Sequence, residues 1–311
     1  RETALAAQVE MAQAVDVPLR KGILAGDILG NIFTPLDLPF GAAPEYPLDI
    51  VPPGVEKEHV AYAIPSYGKL PQRYFNSDYI MVPLYEVGNS ITWPLRLLAA
   101  ARFDIHARAM EVYEAGFVKK DNNDGFAVLL TAAANRNIIV YDADAGAGRL
   151  TLKLISLMQR TMRRQAGGNT ASVTAGRLTD LYMSIEAIED MRSWTLADVS
   201  AGQREQIANS ANGYLTSIYG TNLHDLIEFG VGQEYQNLYL NDIGGTLAAN
   251  DVEMLLGLDL SDRSSFVNPI RTPLTTEVDD LLHRERKGGV YGYKEHGFAV
   301  LDNRKLILGS L

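Results

Sequence analysis

From Leu19 to Gly54 the chain reads LRKGILAGDILGNIFTPLDLPFGAAPEYPLDIVPPG, and this stretch limits the fold more than any other. Proline and glycine recur there too often for long helices or central strands. Yet Ile23, Leu24, Ile28, Leu29, Ile32 and Phe33 are apolar and will not stay in water. A long irregular arm makes too few local contacts to offset its own ordering entropy. An alanine-rich helical patch from Ala4 to Val15 precedes it. Residues 1–56 are therefore no independent domain, and the arm is expected to lie across a surface of its own subunit or of the next one.

Extended chain follows. HVAYAIPSYG and DYIMVPLYEVGNSITW are rich in Val, Ile, Tyr and Thr with near-alternating polarity, and GKLPQRYFNS between them carries turn chemistry. Pro65, Pro71 and Pro83 each remove a backbone donor, which suits edge strands or a two-stranded ribbon. Such a hairpin has few core positions and needs a partner surface.

Pro94 is placed to open a helix running to Lys119, roughly 40 Å long at about 1.5 Å per residue. Leu98, Ala101, Ile105, Ala109, Val112 and Gly116 form one apolar stripe along it, with Arg96, Asp104, Arg108, Glu111 and Glu114 off the stripe. DNNDG is expected to stop this helix, and FAVLLTAAA to form a second short one. NIIVY reads as a buried strand and Leu150–Gln165 as a helix. Beyond the GGN break, TASVTAG reads as strand and RLTDLYMSIEAIEDMRSW as helix. The alternation continues through TNLHDLIEFGV, QNLYLNDIGG and NDVEMLLGL, which together imply an α+β domain. At the end of the sequence, His296–Val300 and Lys305–Leu308 are expected to pair as strands.

Composition removes several classes of function. The 311 residues leave room for one large domain or two ordinary ones. No apolar run is long enough to cross a bilayer, and the first residues lack the features of a secretory signal. The sequence begins at Arg1 rather than Met, which fits proteolytic removal of an upstream segment. Cysteine is absent, excluding disulfides, thiolate metal sites and cysteine nucleophiles. A net charge of −10 argues against a general nucleic-acid binder, while leaving a local basic face open.

The most enzyme-like segment is NIIVYDADAGAGRLTL, a strand, a Gly-rich turn and a helix, the arrangement on which nucleotide phosphates sit. Gly146 and Gly148 supply G-x-G, but Thr151 stands where a third glycine belongs, and Asp142 and Asp144 repel phosphate. DADAG resembles half of a calcium loop, but Arg149 and Lys153 arrive where further oxygen ligands are needed. The five histidines, His59, His106, His224, His283 and His296, show no metal-ligand spacing, and no G-x-S-x-G elbow accompanies them. Arg149, Lys153, Arg160, Arg163 and Arg164 gather on one helix, either as a solvated face or as a surface for nucleic-acid phosphates. No catalytic, cofactor-binding or metal-binding residue is assigned, and no cofactor is expected.

The order of the segments says more than any motif. Taken with VPLYEVGNSITWPLRLLAAARFDIHARAMEVYEAGFVKKDNNDGFAVLLTAAA, it resembles the major capsid proteins of tailed bacteriophages, whose architecture is the Hong Kong 97-type fold. Residues 79–134 carry that likeness: a loop strand entering a long helix, an acidic Asn-rich break and a small apolar helix. The resemblance implies an N-terminal arm at 1–56 and an extended loop at 57–92. It also implies a peripheral domain with a long spine helix at 93–135 and 290–311, and an axial domain at 136–289. It further implies a non-enzymatic subunit that self-assembles into pentamers and hexamers, then into an icosahedral head enclosing double-stranded DNA. Its partners are then further copies, portal, scaffolding and decoration proteins, and DNA contacted without sequence reading, with no membrane. Such a virion is assembled in the host cytoplasm. Some relatives crosslink through a lysine on the extended loop, for which Lys69 is the matching position. Two other readings stand beside this one, an encapsulin-type cargo shell and a soluble nucleotide-binding α+β enzyme.

Overall fold

A computed structural model describes residues 28–48, 78–95, 103–146, 148–165, 176–195, 198–209, 215–248, 251–261, 263–279, 282 and 285–311. In chain order the first elements are β1 (Thr34–Asp37), β2 (Glu45–Leu48), β3 (Asp78–Met81), β4 (Tyr85–Pro94) and the long helix α1 (Phe103–Arg136). Next come β5 (Ile139–Val140), α2 (Leu152–Gln165), β6 (Asp180–Met183), α3 (Ile185–Glu189), α4 (Ala201–Asn209), β7 (Ser217–Ile218) and β8 (Thr221–Asp225). The rest are α5 (Glu234–Asn237), β9 (Met254–Leu258), β10 (Phe266–Val278), β11 (Lys287–His296), β12 (Ala299–Val300) and β13 (Leu306–Ser310). The class is α+β, as expected.

One sheet runs β5-β13-β9-β6-β8-β7, and both of its faces are covered. Side chains alternate across a strand, so Leu255 and Ile307 point to one side and Leu256 and Leu308 to the other. The first side packs on α2 through Leu154, Ile155, Met158 and Met162. The second packs on the end of α1 through Phe126, Leu129, Leu130 and Ala133. Gly257 and Gly309 let α2 come close, since Met158 lies where a Cβ on either would stand. A second sheet, β1-β10-β11-β4, holds the other half of α1 through Met110, Tyr113 and Phe117. The short pair β2-β3 brackets residues 49–77.

Several expectations fail, each for a physical reason. DNNDG does not stop the helix: α1 runs unbroken through it for 34 residues, about 50 Å. Its polar side chains find tertiary partners. Asp121 pairs with Lys294, Asn123 donates to Glu234 at 2.7 Å, and Asp124 accepts from the Tyr85 hydroxyl at 2.9 Å. Gly125 gives room to Leu29, whose Cδ1 lies 2.2 Å from where a Cβ would be. The apolar stripe is also on the wrong side, because Val112 is 61% exposed while Tyr113 and Phe117 are buried. Leu98 and Ala101 lie outside the described residues.

Pro94 closes β4 and Leu95, directly after it, is helical, while residues 96–102 lie outside the described residues. RLTDLYMSIEAIEDMRSW divides into β6, then α3 capped by Ser184, whose Oγ accepts from the Ala187 N–H at 3.0 Å. TNLHD and MLLGL are strands. His296–Val300 and Lys305–Leu308 do not pair: β12 joins β10, while β13 inserts between β9 and β5. TASVTAG and the first strand of the expected ribbon, HVAYAIPSYG, lie almost wholly outside the described residues, as do His59, Lys69 and His283.

Candidate assembly surfaces

The Gly-rich turn is tied down by its own residues. The Asp142 side chain is only 5% exposed and accepts hydrogen bonds from the Thr151 hydroxyl (2.8 Å), Lys153 Nζ (2.7 Å) and the Asp144 N–H (3.2 Å). Burial alone raises the Asp142 pKa, but bonds from Lys153 and Thr151 hold it below the usual carboxylate range. Thr151 Oγ1 then accepts the Leu154 N–H and starts α2, and Asp190 accepts the Leu150 N–H at 3.0 Å. Lys153 also bridges to Asp144. The cation that could have met a phosphate is thus shared by two carboxylates, and the carboxylates that could have met calcium are neutralised by a lysine. Gly148 has φ 72°, a left-handed conformation that glycine adopts without steric cost. The turn's chemistry is that of a helix entry.

The histidines divide. His224 Nε2 lies 2.8 Å from Asp180 Oδ1 on the neighbouring parallel strand, and its ring stacks on Tyr182 with centroids 4.7 Å apart. Burial would raise the Asp180 pKa, but bonds from His224, Thr179 and Asn222 lower it. His296 is buried beside Lys294 and Asp121, and desolvation with the neighbouring cation pushes its pKa down to about 4, so it is neutral at pH 7. The side chain of His106 is not described. Among the described residues no three His, Asp or Glu side chains converge as metal ligands.

The surface is informative for what stays uncovered. Leu29, Ile32 and Phe33 of the arm bury themselves in their own subunit against α1, Phe266 and Phe298. The chain then turns outward, and Phe40 is 97% exposed, with Leu36, Tyr79 and Met81 also exposed on β1 and β3. Ile227 and Val231 protrude beside α5, and Tyr219 from the β7–β8 turn. Ordering large apolar side chains in water gains nothing, so sets of them on strands and turns mark contact surfaces. Reading the sequence found the apolar arm but not Phe40, Ile227 or Val231, because single apolar residues in turns carry no periodicity.

No protein-family model matches this sequence, and no curated protein matches it. Solved structures do. A structure from Microbacterium phage Oxtober96 is 12% identical, with a TM-score of 0.62 over 92% of this chain and 90% of that one. The capsid of the cyanophage P-SCSP1u is 10% identical, with a TM-score of 0.63 over 91% and 88%. The mature capsid of bacteriophage PhiM1 is 10% identical, with a TM-score of 0.58 over 92% and 87%. The holo-SrpI encapsulin complex from Synechococcus elongatus PCC 7942 also matches, at a TM-score of 0.51. These likenesses show the Hong Kong 97-type fold along nearly the whole chain.

Proposed function

We propose that this chain, having the Hong Kong 97-type fold along nearly its whole length, is the shell subunit of a tailed-phage head. It assembles through pentamers and hexamers into an icosahedral container for double-stranded DNA. The observation that carries the reading is coverage. The match takes in 91–92% of the chain and 87–90% of the phage structures quoted. The exposed Leu36, Phe40, Tyr79 and Met81 support it, because neighbouring copies would cover surfaces a monomer leaves in water. The Gly-rich turn and the His224 cluster are occupied by internal partners.

In this reading residues 1–56 are the arm and 57–92 the extended loop. The peripheral domain holds 93–135 and 290–311 and the axial domain 136–289, with β13 pairing beside β9 of the axial part. Portal, scaffolding and decoration proteins and the packaged DNA are the partners such a shell would meet. Light scattering and electron microscopy of natively assembled material test this, with closed megadalton shells expected. A stable soluble monomer under the same conditions refutes it. Shells filled with protein cargo and no genome favour the encapsulin reading instead, to which the holo-SrpI likeness gives its one specific support.

A further inference from the structure

With 38 acidic side chains against 28 basic, cations on this surface have carboxylates to spare. Several take one: Lys119 pairs with Glu234, Lys120 with Asp124, Arg192 with Glu189 and Arg271 with Glu295. Arg160, Arg163 and Arg164 do not. They stand exposed at the end of α2 with no carboxylate partner among the described residues. Beside them Gln159 Nε2 donates to the Tyr219 carbonyl at 3.3 Å and to Thr221 Oγ1 at 2.9 Å, fixing the β7–β8 turn against α2. Tyr219 is 59% exposed at φ 52°, a strained conformation for a bulky residue. Left-handed backbone at a non-glycine persists where the surroundings hold it, and such sites gather at functional surfaces. Arginine and tyrosine together are also the side chains that dominate association energies.

On α1 the opposite arrangement occurs. Exposed Glu111 and half-buried Glu114 line a groove of about 450 Å³ with Glu228, and Ala115, Val118 and Tyr235 supply its apolar wall. Lys119 at its rim is already taken by Glu234. Burial, and then the neighbouring Glu111, push the Glu114 carboxyl above its usual range. None of Glu111, Glu114 and Glu228 has a cation partner among the described residues. Ile227 and Val231 stand exposed on the segment that carries Glu228. The basic surface lies on α2, which packs on one side of the six-stranded sheet, whereas Glu111 and Glu114 lie on the half of α1 held by the second sheet, so the two surfaces occupy different parts of the subunit.

We propose that these are the two halves of one head-to-tail interface, in which Arg160, Arg163, Arg164 and Tyr219 of one copy seat on the Glu111–Glu114–Glu228 groove of the next. The inference rests on the shell reading and adds to it the contact that closes a ring. Two unlike surfaces on one subunit make a heterologous contact, which generates a ring when the rotation closes. Charge complementarity selects a second copy over nucleic acid, because the chain as a whole, at −10, repels phosphate.

Charge exchange tests it on the full-length chain. One variant carries Arg160→Glu, Arg163→Glu and Arg164→Glu, and the other Glu111→Arg, Glu114→Arg and Glu228→Arg. Each alone is expected to stay unassembled, since like charges then meet. An equimolar mixture is expected to recover rings, because each variant fits only the other. Strict alternation closes even rings alone, so native mass spectrometry should find three-plus-three hexamers and no pentamers. Glutamine versions of both sets, which cannot repel, should weaken assembly without abolishing it, and circular dichroism on all variants checks that subunits fold. Normal shells from either charge-reversed variant overturn the interface, as does a mixture of folded variants that fails to assemble. Arg→Glu shells that form normally but lose their nucleic acid overturn it too, assigning the arginines to the genome. A wild-type chain that forms no rings refutes the shell reading and this interface together, whereas assembly by wild type and by both variants refutes the interface alone.

Discussion

Asp121→Ala is expected to cost the subunit about 3–5 kcal/mol, the range for breaking a buried ion pair from one side. Lys294 on β11 meets Asp121 where α1 crosses the second sheet, and their side chains are only 11% and 15% exposed. The ammonium lies 5.6 Å from the centroid of Phe117, and the neighbouring His296, with its pKa near 4, is uncharged at neutral pH. Losing Asp121 therefore leaves a buried cation over a ring face. Replacing both partners, Asp121→Leu with Lys294→Met, leaves no orphan and should fall within about 1 kcal/mol of the parent. Guanidinium unfolding of unassembled subunits, followed by the buried Trp194, measures the cycle. A loss under about 1 kcal/mol refutes the account of this buried pair.

Glu253 is buried against the Ser184 hydroxyl (2.7 Å), and burial raises its pKa, so its favourable contribution is present at low pH and lost as pH rises through that raised value. Glu253→Gln should gain on the parent in melting temperature between acidic and neutral pH; a constant gap contradicts this. Asp142→Ala should cost about 1–3 kcal/mol through its lost charged hydrogen bonds, whereas Asp144→Ala, whose side chain is 84% exposed, should stay within about 0.5 kcal/mol. Equal effects in denaturant titration would argue against the turn as a helix entry. Gly257→Ala places a Cβ 2.5 Å from Leu178 Cδ1 and 2.9 Å from Ile307 Cγ2, and should lose about 1–3 kcal/mol by overpacking. A neutral result in the same titration would show that this layer can relax.

The α+β class, the helix over 152–165 and the NIIVY strand were legible because periodicity and caps act locally. What failed was decided at a distance. DNNDG reads as a stop on propensity alone, and only Lys294, Tyr85, Glu234 and Leu29, remote in sequence, make it helical. Val112 and Tyr113 are adjacent, and which of them is core depends on a sheet strand made much later, since Val290 packs with Tyr113. Strand β10, FVNPIRTPLTTEV, hides behind Pro269 and Pro273. Its ladder with β11 slips between Ile270 and Thr272 and again between Thr272 and Thr275, irregularities that tolerate proline. The two charged surfaces were half visible: the arginines of α2 stand out in the sequence, but the groove that gathers Glu111, Glu114 and Glu228 from distant parts of the chain does not.

Strand β13 has a consequence for timing. It lies between β9 and β5, with Ile307 completing the α2 side of the sheet and Leu306 and Leu308 completing the α1 side. Until residues 306–310 have been synthesised and have cleared the ribosome, neither side can close, and β5 has no neighbour in its sheet. A nascent chain therefore cannot close either side of this sheet before β13 has emerged, and the apolar faces of α1 and α2 stay open until then.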